Sequence, residues 1–325
     1  MTLTRKPLCL LTIALAVVSV SAASTAQAQQ EGPALTQTII AIDSKAPVAP
    51  TTSNILVKVD NHVTPLTNIA PVLPAGSQVA LLIDDGLRWS VARELDNLRS
   101  FVQSLPPGTE IFVGYLQNGR VVAAHDFTAN LAAAAHSVHI PSGLFDSSAS
   151  PYLCLSDFVK HWPSSELNST STETDAPSRK ARFIMLISNG VDPYNGSTSI
   201  MNQNSPYVDT AVRDAQRAAV PIYSIYFSDA GMGGDRTSFS GQSYLAQLAD
   251  GTGGRAYFEG TGNPVSLSPF LTQFQHAMAE SYIATFVTPA NKNLVRLKVT
   301  TNLHGAKLKA QDQIQPGTLV TAQPR

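Results

Sequence analysis

Two short apolar runs that break abruptly into polar turns constrain this chain more than any other feature. Val79-Ala-Leu-Leu-Ile83 runs into Asp84-Asp85-Gly86, and Phe183-Ile-Met-Leu-Ile187 runs into Ser188-Asn189-Gly190-Val191-Asp192. Runs of this length with no polar alternation suit strands covered on both faces, as in a parallel sheet flanked by helices. Each delivers acidic or amide side chains at its carboxyl end, the end at which open parallel sheets hold ligands.

Between Val79 and Phe274 strands and helices alternate. Leu87, Val91, Leu95, Leu98 and Val102 recur at three- and four-residue spacing and predict a helix, which Pro106-Pro107-Gly108 ends. Glu110–Leu116 and Arg120–His125 flank Gln117-Asn118-Gly119, a hairpin signal, and an Ala-rich helix follows from Thr128. Ser-Pro pairs at 150–151, 205–206 and 268–269 mark helix starts with proline in the first turn. Further strands are expected at 183–187, 222–227 and 255–258. This order predicts an α/β fold, a doubly wound and mostly parallel sheet with helices on both faces. Residues 55–76 read as a β-hairpin flank, with Ile55, Val57 and Val59 on one side. In the tail, 282–325, Val295, Leu297 and Val299 alternate with Arg296, Lys298 and Thr300. The two flanks are expected to pair into a small β-layer. Residues 29–54, rich in Pro, Thr, Ala and Ser, read as a linker, and 163–180 as a polar surface loop.

Residues 1–28 read as a secretory signal. Arg5 and Lys6 precede an apolar run from Leu8 to Val20, and Ala26-Gln27-Ala28 supplies a small-x-small cleavage site. The run is shorter than the ~20 residues a membrane span needs. Cys9 lies inside it, not at the cleavage point where a lipid anchor would require it. The mature chain is therefore expected in the periplasm or outside the cell, with no membrane span. The formal net charge is −1, and cleavage takes it to −3, because the leader carries two basic residues and no acidic one. No Lys/Arg cluster is dense enough for nucleic acid or anionic lipid. Charged residues make up 14% of the chain, against roughly 25% in ordinary globular proteins, so Ser, Thr, Asn and Gln must wet much of the surface. Loss of Cys9 with the leader leaves Cys154 without a disulfide partner. Cys154 shares a helical face with Phe158 and Trp162 but not with His161, and reads as a buried structural thiol.

Four segments carry a family resemblance: Leu81-Leu-Ile-Asp-Asp-Gly86, Ile187-Ser-Asn-Gly-Val-Asp192, Ala215-Gln-Arg-Ala-Ala-Val-Pro-Ile-Tyr-Ser-Ile-Tyr226 and Leu245-Ala-Gln-Leu-Ala-Asp-Gly-Thr-Gly-Gly-Arg-Ala-Tyr-Phe258. Their order is similar to that of von Willebrand factor type A domains, over residues 77–281. In that family a divalent cation is held by an Asp and two Ser hydroxyls of the first loop, a Thr or Ser of a second loop, and an Asp after the fourth strand. Such hard oxygen ligands suit Mg²⁺. Carried over, the resemblance puts Asp84 at the first Asp, Gly86 and Arg88 at the two Ser positions, and Asn189 at the later Asp. Ser147, Ser148 or Ser150 takes the second-loop position. Two hydroxyls are thus missing, one carboxylate is an amide, and the Arg88 guanidinium can pair with Asp84 or Asp85 in a cation's place. Asp84, Ser148 and Asn189 form the remnant ligand set for Mg²⁺ or Mn²⁺, with Asp85 and Asp192 as water-mediated helpers. The expectation is a degenerate site with no required cofactor. Asp84 also has a structural reading, as the cap of a nearby helix.

Other motif matches fail on context. Gly251-Thr-Gly-Gly-Arg-Ala256 follows a helix and precedes a strand, the reverse of a dinucleotide site, and reads as a helix stop. His125, His136 and His139 lack metal-ligand spacing, and no nucleophile elbow or His-Glu-x-x-His pair occurs. The sequence therefore points away from an enzyme and toward an exported module that binds a protein partner. Its candidate contact residues are Asp84, Asp85, Arg88, Trp89, Ser148, Asn189, Asp192 and Tyr194. The alternatives are a cation-dependent adhesion module, a hydrolase using the carboxylates near Asp84, and a structural role in the cell envelope.

Overall fold

The computed structural model describes residues 32–44, 46, 48–87, 89–142, 149–163, 179–192, 205–228, 234–260, 262–291 and 293–321, with backbone only at 89–90 and 234–239. The expected leader and most of the polar stretch before Lys180 lie outside the described residues. The first strands are β1 (Ala34–Asp43), β2 (Ile55–Val59), β3 (His62–Thr64), β4 (Leu66–Pro71) and β5 (Ser77–Asp84). Then come α1 (Leu95–Gln103), β6 (Glu110–Gln117), β7 (Arg120–Thr128), α2 (Leu131–Ser137), α3 (Pro151–Lys160) and β8 (Ala181–Ser188). The remainder is α4 (Pro206–Ala218), β9 (Ile222–Tyr226), α5 (Gly234–Thr252), β10 (Ala256–Tyr257), α6 (Ser268–Ala279), β11 (Ser281–Thr288), β12 (Val295–Thr301), β13 (Lys307–Lys309) and β14 (Gln313–Ile314).

The central sheet runs β10-β9-β8-β5-β6-β7, parallel throughout except for the final β6–β7 hairpin. That hairpin turns on Asn118 and Gly119, both with positive φ (49° and 76°), as the favoured two-residue turn requires. Every residue of β5 is buried. Side chains alternate across a strand, so Val79, Leu81 and Ile83 enter one core with α1, α2 and α6, while Ala80 and Leu82 enter another with α3, α4 and α5. The unbroken apolar run is thus the signature of two cores meeting on one strand. The expected helix from Leu87 opens instead as a 3₁₀ segment, Trp89–Glu94, before α1 begins.

The flanks build more than one small layer. They form two four-stranded sheets, β13-β1-β11-β4 and β14-β12-β2-β3, around a third core that includes Ile40, Val57, Phe286 and Leu297. The expected return strand after Asp60 divides at Pro65, which has no N–H for a ladder. β3 completes the hairpin with β2, and β4 crosses to pair with β11.

The linker expected over 29–54 is corrected at 34–43. β1 lies between β11 and β13 and is buried along most of its length. Its composition suggested a linker, but its polar side chains find partners from the far end of the chain. Thr36 Oγ1 bonds Thr288 Oγ1 at 2.8 Å, and Gln37 Oε1 accepts from the N–H groups of Val320 (2.9 Å) and Thr321 (3.1 Å). Ile39, on the face opposite Ile40, joins the core beneath α6 together with Ile283. This docks the flanking sheet against the central one.

Candidate functional site at the carboxyl edge of the central sheet

Parallel pairing of β5 with β8, in register to Ile83 opposite Ile187, brings Asp84 and Ser188 side by side where the strands end. Ser188 Oγ donates to Asp84 Oδ2 at 2.7 Å, and the Gly86 N–H donates to Asp84 Oδ1 at 3.0 Å. Ser188 Oγ in turn accepts from the Gly190 N–H at 3.0 Å. Asp84, buried, therefore closes its own turn and couples it to the β8 loop.

Asp85 points into a different set of bonds. Its Oδ2 accepts from Gln117 Nε2 (3.0 Å) and Ser142 Oγ (2.5 Å), and its Oδ1 accepts from the Ser142 N–H (2.8 Å). One carboxylate thus ties the end of β5 to the end of β6 and to the segment after α2. Asp192, also buried, accepts from Ser205 Oγ at 2.7 Å, and that oxygen also receives the first-turn N–H groups of α4. Asn189 turns its Oδ1 back to the Val191 N–H at 2.9 Å.

Beneath this loop lies Tyr152, fully buried, whose hydroxyl donates to the Gly190 carbonyl at 2.7 Å. Burial pushes its phenol well above the ordinary range, and the charges of Asp192 and Asp84 add to the rise. The loop also presses on α5. Gly190 has φ +67°, and a Cβ on it would meet the Gly241 carbonyl oxygen at 2.4 Å. Only glycines fit where these two backbones cross. Cys154, one turn into α3, is wholly buried, and burial, followed by the charge of Asp84, pushes its thiol up to about 12. It is packed with Phe158 and Trp162 in the α3–α5 core.

The structure thus gathers Asp84, Asp85, Asn189 and Asp192 at one edge, and the Trp89 backbone follows in the 3₁₀ segment. Arg88, Ser147, Ser148 and Tyr194 lie outside the described residues. Ser188, Gln117, Ser142 and Tyr152 escaped the sequence reading. Ser188 ends the apolar run 183–187 at the sheet edge, so it carried a signal. Gln117 and Ser142 carried none, because only folding brings them to Asp85.

Among the described residues, the donor set does not fit an octahedral divalent cation. Both Asp84 oxygens already accept protein donors, Asn189 faces its own turn, and Asp85 points toward Gln117 and Ser142. Gly86 and Arg88 supply no ligand oxygen from their side chains. Ser150 Oγ is the exception, a buried hydroxyl with no hydrogen-bond partner. One neutral hydroxyl is a small part of the six or so oxygen ligands such ions take. Among the described residues, no group of three or more His, Cys, Asp or Glu side chains is placed to hold a metal.

No family model matches the chain, and no curated protein matches it. Among solved structures it is similar to a von Willebrand factor type A protein from Catenulispora acidiphila, with a TM-score of 0.40 at 11% identity over 89% of this chain and 75% of that one. An aerotolerance-related membrane protein from Bacteroides fragilis gives 0.40 at 8% identity, over 62% of this chain and 98% of that one. The SpRpn10 VWA domain gives 0.36 at 10% identity, over 61% and 94%. The assignment of an α/β fold with a largely parallel, helix-covered sheet rests on the strand order and register described above.

Proposed function

We propose that the chain is an exported, non-enzymatic binding module of the von Willebrand type A kind. It engages a protein partner through the loops at the carboxyl edge of its central sheet and does not depend on a bound cation. The observation that carries this reading is how the edge carboxylates are used. Asp84 fastens the β8 loop, Asp85 fastens β6 and the segment after α2, and Asp192 fastens the start of α4. Groups bonded in this way hold a loop platform in one shape, and a preorganised surface loses less entropy when a partner docks. A hydrolytic role for the same carboxylates would need an acid or base free to exchange protons with substrate.

The export part of the proposal is supported by the leader-like pattern at 1–28, and N-terminal sequencing of the protein from its host is expected to begin at Gln29. The binding reading is tested by placing a photo-crosslinking residue at Trp89 or Asn189 in the host, identifying the captured protein, and measuring its affinity for purified variants. Asn189→Arg should weaken binding by about tenfold or more, roughly 1.4 kcal/mol. Val63→Arg, on an exposed strand of the flanking sheets, should leave it unchanged. Chelator should have no effect. A partner that ignores Asn189→Arg but is lost with Val63→Arg would move the interface to the flanking sheets and end this reading.

A further inference from the structure

At the opposite, amino-terminal end of the parallel strands lies a cavity of about 370 Å³. Tyr223, near the start of β9, and Gly254 and Arg255, which precede β10, line one side of it; α6 lines another, and the end of β1 and Lys309 complete it. It therefore exists only because the flanking sheet docks beside the edge of the central one. Its volume falls near the lower end of the ~300–1,000 Å³ typical of small-molecule sites.

Two features describe what would fit. The first is a pair of phenols. Tyr223 and Tyr257 are 2% and 5% exposed and line the cavity. Their rings pack against Phe274 and Phe270. Among the described residues, neither hydroxyl has a hydrogen-bond partner, and neither is among the fully buried unpartnered atoms, so both are open to a ligand or water in the cavity. Burial pushes both phenols above their ordinary range, Tyr257 to about 12; a phenol is a protonated donor at neutral pH even without such a shift. The second feature is that the two permanent cations of the lining already have partners. Arg255 pairs with Asp43 at 2.5 Å, Lys309 with Asp250 at 2.7 Å, and His276 stands 3.5 Å from Glu280. An ion entering would shed hydration and find Arg255 and Lys309 already paired. Ala41, Ile42 and Ala277 supply apolar wall.

We infer that this cavity is a binding site for an uncharged small molecule that combines an apolar face with hydroxyl or amide groups, which hydrogen-bond Tyr223 and Tyr257. It is separate from the carboxyl-edge loops and does not depend on their function.

The test uses the full chain with ¹³Cε-labelled tyrosine, titrated with N-acetylglucosamine and benzamide as uncharged probes and with acetate and ethylammonium as ionic controls. At least one uncharged probe should shift the Tyr223 and Tyr257 signals saturably, with the ionic controls silent. By calorimetry, the Tyr223→Phe/Tyr257→Phe double variant, which keeps both rings, should bind that probe roughly fivefold or more weakly. Ala277→Phe, which fills the space, should abolish binding. The inference is overturned if neither uncharged probe saturates, if acetate or ethylammonium binds as well, or if the double Phe variant binds with unchanged affinity.

Discussion

Replacing Gly241 by Ala sets two effects of opposite sign against each other at the contact between α5 and the β8 loop. Inside a helix the change should help, because Ala is favoured over Gly by about 0.8–1.0 kcal/mol. Here the new Cβ would stand 2.1 Å from the Asn189 carbonyl oxygen and 3.3 Å from the Gly190 carbonyl carbon. Carbon–oxygen contacts settle at about 3.3–3.6 Å, so helix and loop must separate by roughly 1.2 Å. The obstacle is backbone and cannot rotate away. Asn189 is held by the bond from Val191, and Gly190 by the bonds to Tyr152 and Ser188. Overpacking of a well-filled core costs about 1–3 kcal/mol, and a backbone clash belongs at the upper end. The clash therefore wins, with a net loss of about 2 kcal/mol. At roughly 2–4 °C per kcal/mol for a domain of this size, the Tm should fall by about 4–8 °C. Thermal unfolding of Gly241→Ala beside Gly262→Ala, whose Cβ would meet nothing within 4 Å, reads the difference. A Gly241→Ala protein as stable as its parent would refute the claim that α5 and the Asn189–Gly190 backbone are in contact.

Other consequences are open to direct measurement. Ser188→Ala removes a donor from buried Asp84 and an acceptor from the Gly190 N–H, and should cost about 1–3 kcal/mol in urea denaturation. Asp85→Asn replaces one acceptor oxygen with a donor facing Ser142 or Gln117, and should destabilise by a similar amount, about 1–3 kcal/mol, with the segment after α2 the first to lose hydrogen-exchange protection. Asp214 joins α3 to α4: burial pushes its pKa up, but bonds from the Ser156 hydroxyl, Lys160 and Arg217 outweigh that and hold it below the ordinary value. A depressed carboxyl contributes stability above its unfolded pKa and loses it as pH falls through the folded one, so Asp214→Asn should shrink the loss of stability seen on acidification below about pH 4. Cys154 should resist iodoacetamide at pH 8 in the native protein and react fully in urea; rapid native labelling would contradict its burial.

Much of the central fold was legible in the sequence because its signals are local. An apolar run bounded by polar turns, a two-residue Asn-Gly turn and Ser-Pro helix starts each act over a few residues, and each appears where its pattern placed it. The carboxyl-edge acids were equally legible, since a strand's last residues lie at the sheet edge whatever else the chain does. Only the tertiary structure decided how those acids are used. Asp85 bonds residues 32 and 57 positions away and Asp84 a residue 104 away, and no local pattern encodes such partners. The same holds for β1, which read as part of a linker and whose Thr and Gln side chains find their partners at the other end of the chain. Local periodicity records which side of an element is apolar. Which polar groups escape water depends on what packs over them, and that is fixed only when distant segments meet.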